Sequence, residues 1–167
     1  MKKNKLLFIM ILLLAGCGYR FAGELNLPEG VKTVSISLFE NRTGETGLEN
    51  ELTNAFIHEF TRNRCAVINQ NQAEAHMSGL IYSVLTEIIA HKGIHISSEQ
   101  RVIVKINVIL KAKDGRILWS GSKIDASQAF EVVNADKPTT EQNRQAAITY
   151  ISKLLAEKVF NRLSADF

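Results

Sequence analysis

The stretch Gln100–Ala112, QRVIVKINVILKA, decides the fold because its apolar and polar side chains alternate along the chain. One face carries Val102, Val104, Ile106, Val108 and Leu110, while the other carries Arg101, Lys105, Asn107 and Lys111, with Ile103 and Ile109 among them. A period of two is typical of a β-strand with one buried face. The preceding run Met77–Ala90 alternates in the same way, so the two runs predict an antiparallel pair.

The loops on either side of this stretch define its neighbours. The segment His91–Ser98 contains Gly93 and separates the two alternating runs, which predicts a loop there. On the other side, Lys113–Arg116 (KDGR) has the Asp-Gly pair of a hairpin turn. The residues Ile117–Ile124 that follow the turn therefore predict one more strand, and Asp125–Lys137 is expected to be irregular or weakly extended.

The C-terminal part of the chain predicts a long helix. Pro138 ends the irregular segment, and Thr139 with Gln142 has the spacing of a capping box at a helix start. Apolar residues then recur at helical spacing as far as Leu163, which gives one apolar stripe. The stripe consists of Ala147, Ile148, Ile151, Leu154, Leu155, Val159 and Leu163.

The N-terminal part of the domain begins after the turn signal Pro28-Glu29-Gly30. Val31–Phe39 alternates and predicts a strand, with Val34, Ile36 and Leu38 on its buried face. A polar loop, Glu40–Thr46, precedes an amphipathic helix over Gly47–Asn63, and Arg64–Asn69 predicts a short strand. The apolar stripe of that helix comprises Leu48, Leu52, Ala55, Phe56 and Phe60.

These elements predict the fold class. Their order is strand, helix, four strands and helix, and every apolar stripe is satisfied if both helices cover one face of a single sheet. We therefore expect a two-layer α+β domain over residues 31–167, with a mixed, mainly antiparallel β-sheet and two α-helices packed on one face. The opposite sheet face, with Thr33, Ser35 and the polar residues of Gln100–Ala112, suits water or a wet partner interface.

The first residues have the layout of a secretory signal. Met1–Lys5 is basic and Leu6–Ala15 is an apolar run of ten residues, whereas a membrane-spanning helix needs about 20. Leu14-Ala-Gly-Cys17 resembles the bacterial lipobox, in which a peptidase cuts before the cysteine and that cysteine carries the lipid. We therefore expect residues 1–16 to be a cleaved lipoprotein signal peptide, Cys17 to be the lipidated residue, and residues 17–30 to form a short tether.

Charge and cysteine content restrict the partners of the mature chain. The 20 Lys and Arg residues include Lys2, Lys3 and Lys5, which belong to the signal, so the mature chain has as many basic as acidic residues. This neutral balance removes the general electrostatic argument for nucleic acid as a partner. Cys65 is the remaining thiol apart from Cys17, and its apolar surroundings predict a small buried side chain.

Residue patterns of catalytic and metal sites are absent from the sequence. His58 has no second histidine four residues on, and His91 and His95 are separated by a glycine-containing loop. There is no GxxxxGK[ST] or GxGxxG phosphate loop and no G-x-S-x-G elbow. We therefore expect no catalytic residues, no metal site and no cofactor.

Two short segments carry a resemblance to a known family. Leu14–Phe21 (LAGCGYRF) and Phe39–Thr43 (FENRT), together with the long hairpin and the last helix, resemble the lipopolysaccharide-assembly lipoprotein family LptE. The resemblance implies a non-catalytic lipoprotein with palmitate at Cys17, located on the periplasmic side of the outer membrane. It further implies that the protein plugs the large LptD barrel, helps that barrel fold and contacts lipopolysaccharide. Gly18 after the cysteine resembles outer-membrane sorting.

Two other classes remain open. Phe39–Thr43 before an amphipathic helix also resembles lipoproteins of the curli-secretion or penicillin-binding-protein-activator type. The short tether favours the first family, because activator lipoproteins usually need a long linker. A small periplasmic hydrolase is the third possibility.

Basic residues of the hairpin region are the candidate ligand site. Lipopolysaccharide has phosphates that need cationic donors and acyl chains that need apolar neighbours. Hairpin pairing predicts Lys92 and Arg101 at one end of the sheet, beside Ile94 and Ile96. The resemblance to the LptE family implies that Lys92 and Lys123 fall where members carry basic residues. We therefore predict Lys92, Arg101 and Lys123 as lipopolysaccharide-binding residues, the alternative being that they are ordinary solvated side chains.

Overall fold

The computed structural model describes residues 27–92, 97–133 and 136–165, so the predicted signal peptide, Cys17 and most of the tether lie outside the described residues. A short 3-10 turn at Pro28–Gly30 opens the domain. The strands are β1 Thr33–Ile36, β2 Glu40–Asn41, β3 Ala66–Val67, β4 Ala75–Lys92, β5 Ser97–Ala112 and β6 Ile117–Val133. The helices are α1 Leu48–Arg62 and α2 Lys137–Ala165.

One mixed sheet contains these strands. Its order is β3-β1-β4-β5-β6. β2 pairs with the same edge of β4 as β1 does, a few residues further along β4. The short strands β1, β2 and β3 pair in parallel, whereas β4, β5 and β6 form two long antiparallel pairs joined by hairpins. The two helices cover one face of this sheet, and the predicted two-layer α+β fold is confirmed.

The core lies between the helices and the even-numbered residues of β5, whose side chains are fully buried from Val102 to Leu110. Both helices present the predicted apolar stripes to it, and Leu52 and Leu155 are fully buried. An aromatic contact joins the two helices within their layer, because the ring of Phe60 in α1 meets that of Phe160 in α2 edge-on with centroids 5.2 Å apart.

The expectation that Asp125–Lys137 is irregular or weakly extended was wrong for Asp125–Val133, because these residues continue the regular strand β6. Lys123 adopts a left-handed backbone with φ of 54°, and the pairing of β5 with β6 shifts there from Val108–Gly121 to Ile106–Ile124. This bulge changes the alternation from odd to even residues, so Trp119 is buried before it and Ile124 after it. A single alternating pattern therefore ends at Lys123 although the strand does not.

The start of α2 also differs from the prediction. Asp136, rather than Thr139, occupies the capping position, because the Thr139 N–H donates to Asp136 Oδ1 at 3.0 Å. The Thr139 hydroxyl donates to Asp136 Oδ2 at 2.6 Å, and these bonds hold the pKa of Asp136 below its usual value. An aspartate directly before a helix with proline in its first turn is the sequence signal for this start.

The first predicted strand and the loop after β4 need correction as well. β1 ends at Ile36, Leu38 is 60% exposed rather than buried, and Phe39 turns inward instead. Glu40 and Asn41, predicted as loop, form β2 along β4. The loop is shorter than the predicted range His91–Ser98, because β4 and β5 remain paired as far as Lys92 and Ser97.

Candidate functional site

The sheet face opposite the helices is the candidate site, and we call it the outer face. Between residues 101 and 111 of β5 it contains Arg101, Ile103, Lys105, Asn107, Ile109 and Lys111, each of them half-buried or exposed. Ile103 lies opposite Leu85 of β4, which is 45% exposed, and opposite Ser127 of β6. The outer face therefore combines cations with apolar side chains, which is the mixture that an amphipathic ligand or a wet protein interface requires.

Arg101 is exposed and lies near the end of the outer face where β4 connects to β5, which we call the distal end. The strand register places Glu87 of β4 and Ala129 of β6 directly beside it. Glu99, the next outer residue of β5, lies opposite Glu131 of β6. Arg101 thus has carboxylates on neighbouring strands, which weaken its attraction for a phosphate group.

Lys92 is the last residue of β4 and pairs in register with Ser97 of β5. Arg101 lies four residue steps after Ser97 on β5, which corresponds to about 13 Å along the strand. The register therefore places the backbones of Lys92 and Arg101 at the same end of the hairpin, several residues apart along the strands.

Lys123 lies in the bulge of β6, where its backbone N–H donates to Asn107 Oδ1 at 2.9 Å. Asn107 is six residues from Arg101 on β5, or about 20 Å, and about 33 Å from the register position of Lys92. The structure does not bring Lys92, Arg101 and Lys123 together in one cluster. Their role in ligand binding stays a prediction, and each residue would contact the ligand at a separate point.

A polar cluster that the sequence did not indicate lies at the other end of the outer face. His76 Nδ1 is 2.8 Å from the Ser35 hydroxyl, and His76 Nε2 is 2.8 Å from the Ser37 hydroxyl. Beside it, an open pocket of about 380 Å³ is lined by residues that include His76, Lys111 and Lys113. Because serine hydroxyls occupy both ring nitrogens, the arrangement fixes the imidazole and satisfies the buried Ser35.

Two arginine–glutamate pairs join distant parts of the chain. Arg144 of α2 binds both carboxylate oxygens of Glu45, in the loop before α1, with one bond of 2.8 Å from Nη1 to Oε1. Arg116 binds Glu29 in the same two-pronged way, with one bond of 2.9 Å from Nη2 to Oε2. Hydrogen bonds from these guanidiniums hold the pKa values of both carboxyls below their usual range. Their sequence separation hides both pairs from local pattern analysis.

Cys65 has the predicted structural environment, since its side chain is 1% exposed. Burial, together with the smaller effect of the nearby negative charge of Glu74, raises the pKa of the thiol to about 11. A thiol with such a pKa carries almost no thiolate at neutral pH, so it packs as a small apolar group.

Residues 27–92, 97–133 and 136–165 contain no group of three or more histidine, cysteine, aspartate or glutamate side chains placed to hold a metal ion. In the same ranges, no helix has the length and apolar character needed to cross a membrane.

Comparison with known proteins identifies one matching family. The family model described as "LptE: Lipopolysaccharide-assembly" matches residues 31–163, which extend from the start of the domain to the last turns of α2. No curated protein sequence matches the chain.

Several solved structures share the fold. The uncharacterized lipoprotein B from Nitrosomonas europaea has a TM-score of 0.56 at 17% identity, over 89% of this chain and 91% of that one. Rare lipoprotein B from Shewanella oneidensis has a TM-score of 0.53 at 9% identity, over 80% and 95%. A minor lipoprotein from Acinetobacter baumannii has a TM-score of 0.52 at 16% identity, over 81% and 92%. At these identities the likeness concerns the fold alone.

Proposed function

Because the chain belongs to the LptE family of lipopolysaccharide-assembly lipoproteins, we propose that it acts at the outer membrane as the plug and folding partner of an LptD-type β-barrel and contacts lipopolysaccharide there. The observation that carries the proposal is the family match over essentially the whole described domain. The family is non-catalytic, so the function rests on binding and assembly.

The proposed membrane attachment is through lipid on Cys17, which places the domain on the periplasmic side. Its support is the complete Leu14-Ala-Gly-Cys17 motif after a short apolar run. Several acyl chains on one residue hold a protein to a bilayer almost irreversibly, because each buried methylene contributes about 0.8 kcal/mol.

The outer face supports a partner interface inside a wet barrel. Its polar residues keep hydrogen-bonding capacity toward water, while Leu85, Ile103 and Ile109 offer limited apolar area. The strands β4, β5 and β6 have 18, 16 and 17 residues, so the sheet reaches roughly 55 Å. A rigid sheet of that length can contact a large barrel over much of its height.

Lys92, Arg101 and Lys123 are the proposed contacts for lipopolysaccharide phosphates. Their positions along β4, β5 and β6 cover about 33 Å, so we assign them to successive contacts along one large ligand and not to a closed pocket. The half-buried Ile103 and exposed Leu85 are the apolar neighbours available to acyl chains beside Arg101.

The Cys17→Ser variant tests the anchor and the partner together. We expect an unlipidated precursor, not cut before residue 17, that no longer copurifies with a large barrel protein from solubilised outer membrane. Cys65→Ala is the matched control, because it removes the other cysteine and leaves the lipobox intact. Wild-type protein that copurifies with a cell-wall synthase instead of a barrel would favour the penicillin-binding-protein-activator class, and a mature Cys17→Ser protein of unchanged mass would exclude the anchor.

Charge reversal tests the ligand contacts separately from the barrel. Lys92→Glu combined with Lys123→Glu is expected to weaken binding of purified lipopolysaccharide several-fold, most clearly at low ionic strength, where screening is weakest. The control pair Lys113→Glu with Lys153→Glu makes the same charge change at exposed positions elsewhere. Both double variants should melt as the wild type does. Binding equal to the wild type at low salt would remove Lys92 and Lys123 from the site.

A further inference from the structure

The outward edges of β6 and β4 differ in whether their backbone N–H and C=O groups have hydrogen-bond partners. Along the distal half of β6, outward carbonyl groups accept hydrogen bonds from side chains at nearly every second residue. Lys158 Nζ donates to Asp125 O at 2.7 Å, Gln128 Nε2 to Ala129 O at 3.2 Å, Asn143 Nδ2 to Glu131 O at 3.0 Å, and the Thr140 hydroxyl to Val133 O at 3.3 Å. Three of these donors belong to α2, which therefore blocks the distal β6 edge against a further strand.

The β4 edge is covered only in its first half. β1 and β2 pair with it as far as Ile81, whose carbonyl accepts a bond from Arg42 N at 3.0 Å. Register with β5 places the outward backbone groups of the second half on Val84, Thr86 and Ile88, opposite Val104, Val102 and Gln100. In the described part of the chain, no other element pairs with β4 beyond Ile81.

Apolar side chains are exposed along this open edge. Leu85 is 45% exposed, Ile88 61% and Ile89 38%, and the only charged residue among Ser83–Ile89 is Glu87. Soluble proteins usually protect edge strands with lysine, proline or a covering element. An edge that lacks these protections and has exposed isoleucine and leucine is a template for pairing with another strand.

We propose that this β4 edge pairs antiparallel with the same edge of a second copy of the chain, around a two-fold axis at Thr86. In this register Thr86 lies opposite Thr86 of the second copy, Val84 opposite its Ile88, and Leu85 opposite its Glu87. No like charges face each other, and the threonine pair and the valine–isoleucine pairs are favourable cross-strand neighbours. The edge is therefore complementary to itself.

The two-fold use of the β4 edge closes this assembly at two copies, and α2 blocks the β6 edge from Asp125 to Val133 against further strands. A sheet with two open edges extends into a filament, whereas one open edge used in a two-fold contact closes on itself. Pairing is confined to Ser83–Ile89, because β2 occupies the edge up to Ile81 and the register of β4 shifts after Ile88. Such a contact is below the standard interface size, so the dimer is weak in solution and favoured by the high local concentration of tethered copies.

Sedimentation velocity of the unlipidated mature chain, residues 17–167 with Cys17→Ser, tests the proposal. We expect concentration-dependent dimers, weakened at least tenfold by Ile88→Lys, which places a charge at the paired edge. Ile117→Lys is the matched control, because Ile117 is 58% exposed on the other edge strand, and it should dimerise as the parent does. A monomer at every concentration, or equal dimerisation of Ile88→Lys, would overturn the proposal.

A cysteine pair gives an independent measurement of the register. Residues directly opposite in a hydrogen-bonded antiparallel pair have Cα atoms about 5.5 Å apart, which a disulfide can bridge. Thr86→Cys in the same parent should form a disulfide-linked dimer on mild oxidation, whereas Leu85→Cys, which faces Glu87 of the second copy, should cross-link far less. If the parent is monomeric and Ile88→Lys in the lipidated protein loses the barrel, the edge binds the barrel and the dimer is excluded.

Discussion

Replacing Gly79 with leucine is expected to destabilise the domain by about 4 kcal/mol, a large part of the 5–15 kcal/mol typical of single domains. A Cβ atom at residue 79 would overlap Cε1 of Phe39, so the ring must leave its position. Phe39 is 2% exposed, and its ring centroid is 4.8 Å from that of Phe56 on α1. The substitution therefore separates the sheet from the first helix.

Urea unfolding of Gly79→Leu measures this loss, with Gly44→Leu as the control. A Cβ at Gly44 meets no atom within 4 Å, and Gly44 is not among the residues with a left-handed backbone, so its replacement should change stability by less than about 1 kcal/mol. Equal unfolding midpoints for the two variants would show that Phe39 does not pack over Gly79.

Aspartate in place of Leu52 or Leu155 is expected to have an effect of similar size. Both leucines are fully buried, one on each helix, and neither has a polar partner in the core. Burying an unpaired carboxylate costs several kcal/mol, unless the group is protonated or the helix moves away from the sheet. We expect loss of the cooperative thermal transition near neutral pH, measured by circular dichroism.

Tyr150→Asp is the matched control on α2. It introduces the same charge, at a side chain that is 54% exposed. It should melt within a few degrees of the wild type. Cooperative wild-type melting of both leucine variants would mean that the buried faces of the helices are assigned wrongly.

The sequence predicted most accurately where the chain keeps one period without interruption. β5 has no internal bulge, so its even residues remain buried from Val102 to Leu110 and the alternating pattern gives the correct face. The helix faces followed from the same logic at a period of 3.6. Leu52 and Leu155, for example, were placed correctly because each lies within a continuous apolar stripe.

The failures occur where backbone geometry changes the period. At Lys123 the left-handed residue adds one position to β6, so Ala126 and Phe130 are buried on a register that no longer matches Trp119. Small residues in Asp125–Val133 weaken the pattern further, since alanine and serine alternate little in hydropathy. The distance between Lys92 and Lys123 follows from counting residues along strands, but the partners of Arg116 and Arg144 depend on tertiary packing.

The pairing of Arg116 with Glu29 gives the domain a mechanical point of attachment. Leu27, two residues before Glu29, is buried. A force applied from the N-terminal side is therefore transmitted through Glu29 and Arg116 to the β5–β6 turn. With lipid on Cys17, the ten residue steps to Leu27 form a leash of at most about 36 Å. If the proposed anchor holds, the turn stays near the bilayer, and the far end of the long β4–β5 hairpin moves through the greatest distance when the domain tilts.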